Sequence, residues 1–256
     1  MNSILWERPP VNLSISRSEL HIWLVDLNNV NHPFNDLISL LSPEEIKRSE
    51  RFKFERDQYR YQVTHSMKRL ILANYLDCDP QCLRFEIGSY GKPILDNLRN
   101  PLKIQFNISH SRDLIVIAIT VEDPIGIDIE YNDKKKSIES LSETIFSPSE
   151  KKFFLTLKSQ REKEEIFFRC WTRKEAFLKA KGIGLAVDLA NISVNLNEIA
   201  VTPDWLKIST VEQTELLNWK LFPLSIDNLY TAAVVATSFQ KNLFTYDAQF
   251  FYKDFK

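Results

Sequence analysis

Three stretches of the chain hold polar and apolar residues in a regular register. In Ile125-Gly126-Ile127-Asp128-Ile129-Glu130 every second residue is isoleucine, which predicts a half-buried strand with Asp128 and Glu130 together on the face opposite the isoleucines. Same-face neighbours on such a strand have Cα atoms about 6.6 Å apart. At an effective dielectric near 20, two carboxylates at that spacing repel by about 2–3 kcal/mol, which a bound divalent cation would offset. The β-branched run over residues 114–120 predicts a buried strand just upstream, and Glu122-Asp123-Pro124 predicts the turn between the two.

A faint repeat organises the rest. Leu41-Ser42-Pro43-Glu44-Glu45 is echoed 105 residues later by Phe146-Ser147-Pro148-Ser149-Glu150. In each copy Ser is a candidate N-cap, Pro follows at the first helical position and Glu stands three residues after the Ser, the pattern of a capping box. Charged helical stretches follow in both, over about 58–76 and about 162–181. The pattern predicts an α+β protein of two similar halves, an intramolecular pseudo-dimer, with a boundary that gives residues 1–122 and 123–256. Ile192-Ser193-Val194 reads as a strand of the second half. Lys134, Lys135 and Lys136 read as a solvated loop or a contact for an acidic partner. The aromatic stretch over residues 239–256 reads as packing, with room to fold back on the first half.

Composition narrows the function classes. With 256 residues, 44% hydrophobic and 26% charged, the chain can bury a substantial core. A net charge of −1 provides no global field toward nucleic acid or an anionic membrane, so an anionic ligand needs a local cluster of cations. Cys78, Cys82 and Cys170 lack zinc-ligand spacing and read as structural thiols. MNSILWERPP is not a basic, apolar leader and no apolar run approaches 18 residues, so the expected setting is the cytoplasm, without a membrane span.

The chemistry-bearing candidates lie in a few motifs. On a helix through WTRKEAFLKAKG (171–182), Trp171, Phe168 and Leu178 fall within about 60° of Glu175, so its carboxylate has apolar neighbours, while Lys179 follows one turn on. The pair fits an exposed helix couple worth a few tenths of a kcal/mol as well as a functional pair. In Phe106-Asn107-Ile108-Ser109-His110-Ser111, the four polar groups can donate hydrogen bonds to phosphate oxygens. Tyr90-Gly91-Lys92-Pro93 reads alone as a turn with a solvated lysine. Arg48, Arg51 and Arg60 fit a solvated helix face or a phosphate grip.

As an ordered set, SPEE, YGKP, FNISHS, IGIDIE and WTRKEAFLKAKG, spread over about residues 40–222, resemble the 4′-phosphopantetheinyl transferases, specifically their larger, two-half Sfp-type branch. The resemblance implies a Mg²⁺-dependent, monomeric enzyme that moves the 4′-phosphopantetheine of coenzyme A onto a serine of an apo acyl or peptidyl carrier protein, releasing adenosine 3′,5′-bisphosphate. Such carriers serve fatty acid, polyketide and nonribosomal peptide synthesis. It implies that Asp128, Glu130 and Glu175 converge on one Mg²⁺ position, across the junction from His110. It further implies that Glu175 takes the serine proton and Lys179 stabilises the leaving phosphate. Coenzyme A contacts would come from Arg48, Arg60, Lys92, Ser109 and His110 as well as Asp128, Glu175 and Lys179. The carrier would dock on the segment after IGIDIE and the capped helix from Ser147.

The chain departs from the family pattern at Glu45 and Gln58, where basic residues are frequent, and at Tyr61, where a small hydroxyl residue occurs. Two rivals stand beside this reading: a Mg²⁺-dependent phosphate hydrolase using the same three carboxylates, and an idle module that only holds a carrier, against which the intact Asp128, Glu130, Glu175 and Lys179 set argues.

Overall fold

The computed structural model describes residues 5–30, 33–133, 137–184, 187–196, 205–209, 216–237 and 242–251; Lys134, Lys135 and Lys136 lie outside them. The first half runs β1 (Glu19–Asp26), α1 (Phe34–Ser39), α2 (Pro43–Ser49), α3 (Glu55–Leu76), β2 (Phe85–Ile87), β3 (Pro93–Leu95), β4 (Ile104–Ser111) and β5 (Leu114–Val121). The second repeats that order as β6 (Ile125–Tyr131), α4 (Ile138–Ile145), α5 (Pro148–Phe154), α6 (Gln160–Lys181), β7 (Ile192–Val194), β8 (Leu206–Ile208), β9 (Trp219–Asp227) and β10 (Tyr230–Thr237). The offset of 105 residues carries both ends of α2 onto α5, and both ends of α3 onto α6. The sheets correspond as well, β1-β5-β4 in one half and β6-β10-β9 in the other, so the fold is α+β with two similar halves.

Capping sets the helix starts. Ser42 and Ser147 each accept from the backbone N–H three residues on, and Glu45 and Glu150 return the bond. A third capping box, Ser159 with Glu162, starts α6 two residues earlier than the pattern of charged residues predicts. α3 begins three residues early, from Phe54 without a side-chain cap, where Glu55 and Asp57 complement the helix N-terminus. The cap glutamates also tie each long helix in place. Glu150 accepts from the fully buried Lys174 at 2.6 Å, and Glu45 accepts from Arg69 at 2.6 Å and Lys68 at 2.9 Å.

Strand alternation builds the junction. Leu20 and Ile22 of β1, Val116 and Ala118 of β5, Ile125, Ile127 and Ile129 of β6, and Val234 of β10 form one buried cluster between the sheets. The alternate residues, such as Trp23, Ile115 and Ile117 in one half and Ala233 and Val235 in the other, join the cores beneath α3 and α6. Burying each Ile or Leu there stabilises by about 1.5–3 kcal/mol, which holds the two sheets together.

The first sheet joins distant parts of the chain. β1 is central in the first sheet, paired antiparallel with β5 and parallel with β11 (Asn242–Asp247), so the chain returns to its first half after β10. Beyond Phe251 the aromatic C-terminal stretch lies outside the described residues.

Candidate active site

Along one edge of the junction β4 runs beside β6, and side chains replace the usual backbone ladder. The amides of Ile127, Ile129 and Tyr131 donate to Asn107 Oδ1 (2.8 Å), Ser109 Oγ (3.4 Å) and Ser111 Oγ (2.9 Å). Acceptor and donor advance together by two residues, so the two strands point the same way. Asn107, Ser109 and Ser111 therefore occupy the face toward β6. Their shared role as amide acceptors follows from the period of two, which aims all three at the neighbouring strand.

α6 approaches the other face of β6 closely. A Cβ on Gly126 would lie 2.9 Å from Ala180 Cα and nearer still to the Ala176 carbonyl oxygen and the Ala180 amide nitrogen. Only a residue without a side chain allows that approach. The helix residues adjoining this contact are Glu175 and Lys179, which the close approach brings level with Asp128.

Ser109, His110, Asp128, Glu130, Glu175 and Lys179 line one cavity of about 290 Å³, with Ile108, Ile129 and Trp171. Lys179 Nζ donates to Asp128 Oδ1 at 2.6 Å and to Ser109 Oγ at 2.9 Å, and Ser109 Oγ donates to the same Asp128 oxygen at 2.9 Å. Glu130 is held at both oxygens, by Trp171 Nε1 at 3.1 Å and more weakly by Ser111 Oγ at 3.4 Å. Trp171 was legible only as an apolar neighbour of Glu175; its indole N–H is what holds the second acid.

Two buried carboxylate oxygens, Asp128 Oδ2 and Glu175 Oε1, have no hydrogen-bond partner among the described residues. Leaving such atoms unpaired is costly unless a ligand completes them. Desolvation, reinforced by the Asp128 charge, pushes the Glu175 carboxyl up to about 6. Burial raises Asp128 also, against the pull of Lys179. Desolvation and the positive charges of Arg60 and Lys179 lower His110. Among the described residues, no three acidic, His or Cys side chains form a closed metal cluster, so the three carboxylates share a cavity without converging into a ready-made cage. Mg²⁺ commonly takes one or two carboxylates and completes its shell with phosphate and water, which this open set of hard oxygens suits.

The remaining candidates do not line the cavity. Lys92, expected at the nucleotide, donates to the Ile125 carbonyl at 2.8 Å and the Lys179 carbonyl at 2.9 Å, and desolvation lowers its pKa to about 8. Arg60 pairs with Asp57 at 2.6 Å, and Arg48 lies 5.8 Å from the centre of the Tyr61 ring. Tyr61 stacks on His65 with ring centroids 3.9 Å apart. Burial works against ionised Glu45, but bonds from His65, Lys68 and the Ser42 amide hold its carboxyl well below the usual range. Glu45 is thus a structural anion within a group of cations.

The acids belong to one half only. At the 105-residue offset Trp23 stands for Asp128, Val25 for Glu130, Leu70 for Glu175 and Asn74 for Lys179. Trp23 and Val25 are buried in the first-half core.

Both halves of the chain match families of known proteins. Residues 124–235 match the 4′-phosphopantetheinyl transferase superfamily, and residues 28–122 match the 4′-phosphopantetheinyl transferase N-terminal family. The chain is 36% identical over 235 residues to the 4′-phosphopantetheinyl transferase HetI of a Nostoc species, covering 91% of this chain and 94% of HetI. It is 33% identical over 161 residues to Sfp of Bacillus subtilis, covering 63% and 69% of the two chains. For the transferase gsp of Aneurinibacillus migulanus the values are 32% over 168 residues, 65% and 67%. With both halves matched in order, the chain belongs to the 4′-phosphopantetheinyl transferase family, in its larger two-half branch, and transfers phosphopantetheine to carrier proteins.

Proposed function

We propose that Asp128, Glu130 and Glu175 hold Mg²⁺ in this cavity, and that Glu175 and Lys179 act on the transfer of phosphopantetheine from coenzyme A to a carrier serine. The observation that carries the reading is the pair of buried oxygens, Asp128 Oδ2 and Glu175 Oε1, without a hydrogen-bond partner among the described residues, on two side chains that line the same cavity as Lys179. When bound, the ion would neutralise charge on the phosphoryl oxygens of the pyrophosphate.

The residues themselves supply the rest. The serine hydroxyl attacks the β-phosphorus, a new P–O bond forms to serine, and the bond to the bridging oxygen breaks with departure of adenosine 3′,5′-bisphosphate. Glu175 receives the serine proton, as the carboxylate on the helix side of the cavity. Lys179, fixed by Asp128 and Ser109, offers positive charge to the leaving phosphate. Ser109 and His110 line the same wall and would contact coenzyme A phosphates. Arg60, whose charge reaches His110, would add to the field there, and Arg48, beside Tyr61, would supply further positive charge.

Functional division follows the repeat, with residues 1–122 giving phosphate contacts and 123–256 the metal site and carrier contacts. The duplicated halves support action as a monomer, and free Cys78, Cys82 and Cys170 support the cytoplasm. No described helix is long and apolar enough to cross a membrane. Carriers of fatty acid, polyketide or nonribosomal peptide synthesis all fit this chemistry. Neither a hydrolase nor an idle binding module draws support from the comparisons.

Calorimetry of coenzyme A binding with and without Mg²⁺ tests the metal site. The ion should strengthen binding to the wild type and have little effect on Asp128→Asn or Glu175→Gln. An equal Mg²⁺ effect in all three proteins contradicts the assignment.

A further inference from the structure

The ammonium of Lys92 is withdrawn from solvent and bound to two carbonyls from the other half of the molecule. One, on Ile125, begins the strand that carries Asp128. The other, on Lys179, lies in the last turn of α6, where it also accepts from Gly182 N–H at 3.3 Å and where a cation complements the helix dipole. Lys92 itself closes the β2–β3 hairpin, with its carbonyl accepting from Gly88 N–H at 2.8 Å. Lys179 Nζ in turn binds Asp128, three residues after Ile125. The contacts form a circuit: Lys92 fixes the backbone of Lys179, whose side chain grips the strand that Lys92 also fixes.

We propose that Lys92 is a positioning residue, which aims the Lys179 ammonium by clamping the end of α6 to the start of β6, and does not itself touch coenzyme A. The inference rests on the reading that Lys179 acts at the transferred phosphoryl group. Desolvating an ammonium disfavours its charged form, so a lysine held in this way needs structural acceptors, and the two carbonyls provide them. The first half thereby sets the geometry of a site whose acids all belong to the second.

A double-mutant cycle on the full chain separates these roles, using Lys92→Met, Lys179→Met and the double variant with an apo carrier, coenzyme A and Mg²⁺. Lys92→Met should lower kcat about tenfold or more while KM for coenzyme A stays within about threefold. In the Lys179→Met background the same change should cost less than about twofold, because the group it aims is gone. Lys92→Gln, which retains a donor, should recover part of kcat, and it carries the cycle if Lys92→Met does not fold. A tenfold rise in KM at constant kcat would assign Lys92 to coenzyme A and overturn the proposal. So would equal losses in both backgrounds, the signature of a general structural role. If Lys179→Met alone transfers at the wild-type rate, the reading of Lys179 fails first, and the clamp falls with it.

Discussion

Replacing Gly126 by alanine tests whether the approach of α6 to β6 sets the catalytic geometry. The added Cβ would lie 2.9 Å from Ala180 Cα, with the Ala176 carbonyl oxygen and Ala180 nitrogen nearer still. Carbon atoms pack at about 3.5–4.0 Å, and the obstructing atoms are backbone, so the helix must retreat by about 1 Å. Glu175 and Lys179 move with it. A retreat of that size carries the 2.6 Å bond between Lys179 and Asp128 out of normal hydrogen-bond range. Overpacking of this kind costs about 1–3 kcal/mol of stability, and a 1 Å displacement of reacting groups costs about 100-fold in rate. Initial rates of carrier modification by intact-mass spectrometry, beside urea unfolding of the same protein, measure both. A variant destabilised as expected but transferring at the wild-type rate would refute the link between helix approach and catalysis; wild-type stability would refute the close approach itself.

Asp128→Asn and Glu175→Gln should keep the fold and lower transfer by about 100-fold or more, as loss of a charge-placing metal ligand or of a positioned base does; near-wild-type rates with normal unfolding curves would exclude the assigned roles. Trp171→Phe removes the indole donor to Glu130 and should slow transfer about tenfold, the scale of a hydrogen bond to a charged group, with little change in unfolding midpoint. Asn107→Leu strips the acceptor from the buried Ile127 amide and should cost about 1–3 kcal/mol in urea unfolding. Buried His21, which pairs with Tyr75 at 2.7 Å, has its pKa lowered by desolvation from 6.5 to about 4. Its unfolded form therefore binds a proton that the folded form refuses, so stability present above pH 6.5 falls by on the order of 3 kcal/mol as pH drops toward 4. His21→Gln should flatten that limb between pH 7 and 4.5; an unchanged acid dependence assigns it to other groups.

The elements that could be read along the chain were those whose signals are local. Alternating isoleucines mark β6, and serine–proline–glutamate marks the starts of α2 and α5, because strand faces and helix caps are decided within a few residues. The partners of β1 and β11 are more than two hundred residues apart in sequence, and nothing local announces that pairing. Sequence separation also hid Lys92: as a turn lysine it reads as solvated, since its acceptors at 125 and 179 are brought to it only by the fold. Asn107, Ser109 and Ser111 did carry a usable signal. Their period of two places them on one face of β4, and a neighbouring strand with free amides makes them acceptors. The three acids were visible through chemistry, as repulsion on a strand and a carboxylate among apolar helix neighbours, whereas the glycine that lets them meet was visible only as a gap in the alternation.

The most direct test incubates an apo carrier protein with coenzyme A and Mg²⁺ and follows its intact mass in the presence of the wild type, of Glu175→Gln, and of the wild type with excess chelator. The wild type should add one phosphopantetheine at the carrier serine and release adenosine 3′,5′-bisphosphate in equal amount, with neither reaction seen for the variant or under chelation. Transfer that proceeds unabated with the Glu175 carboxylate removed and the metal withheld would contradict the central claim.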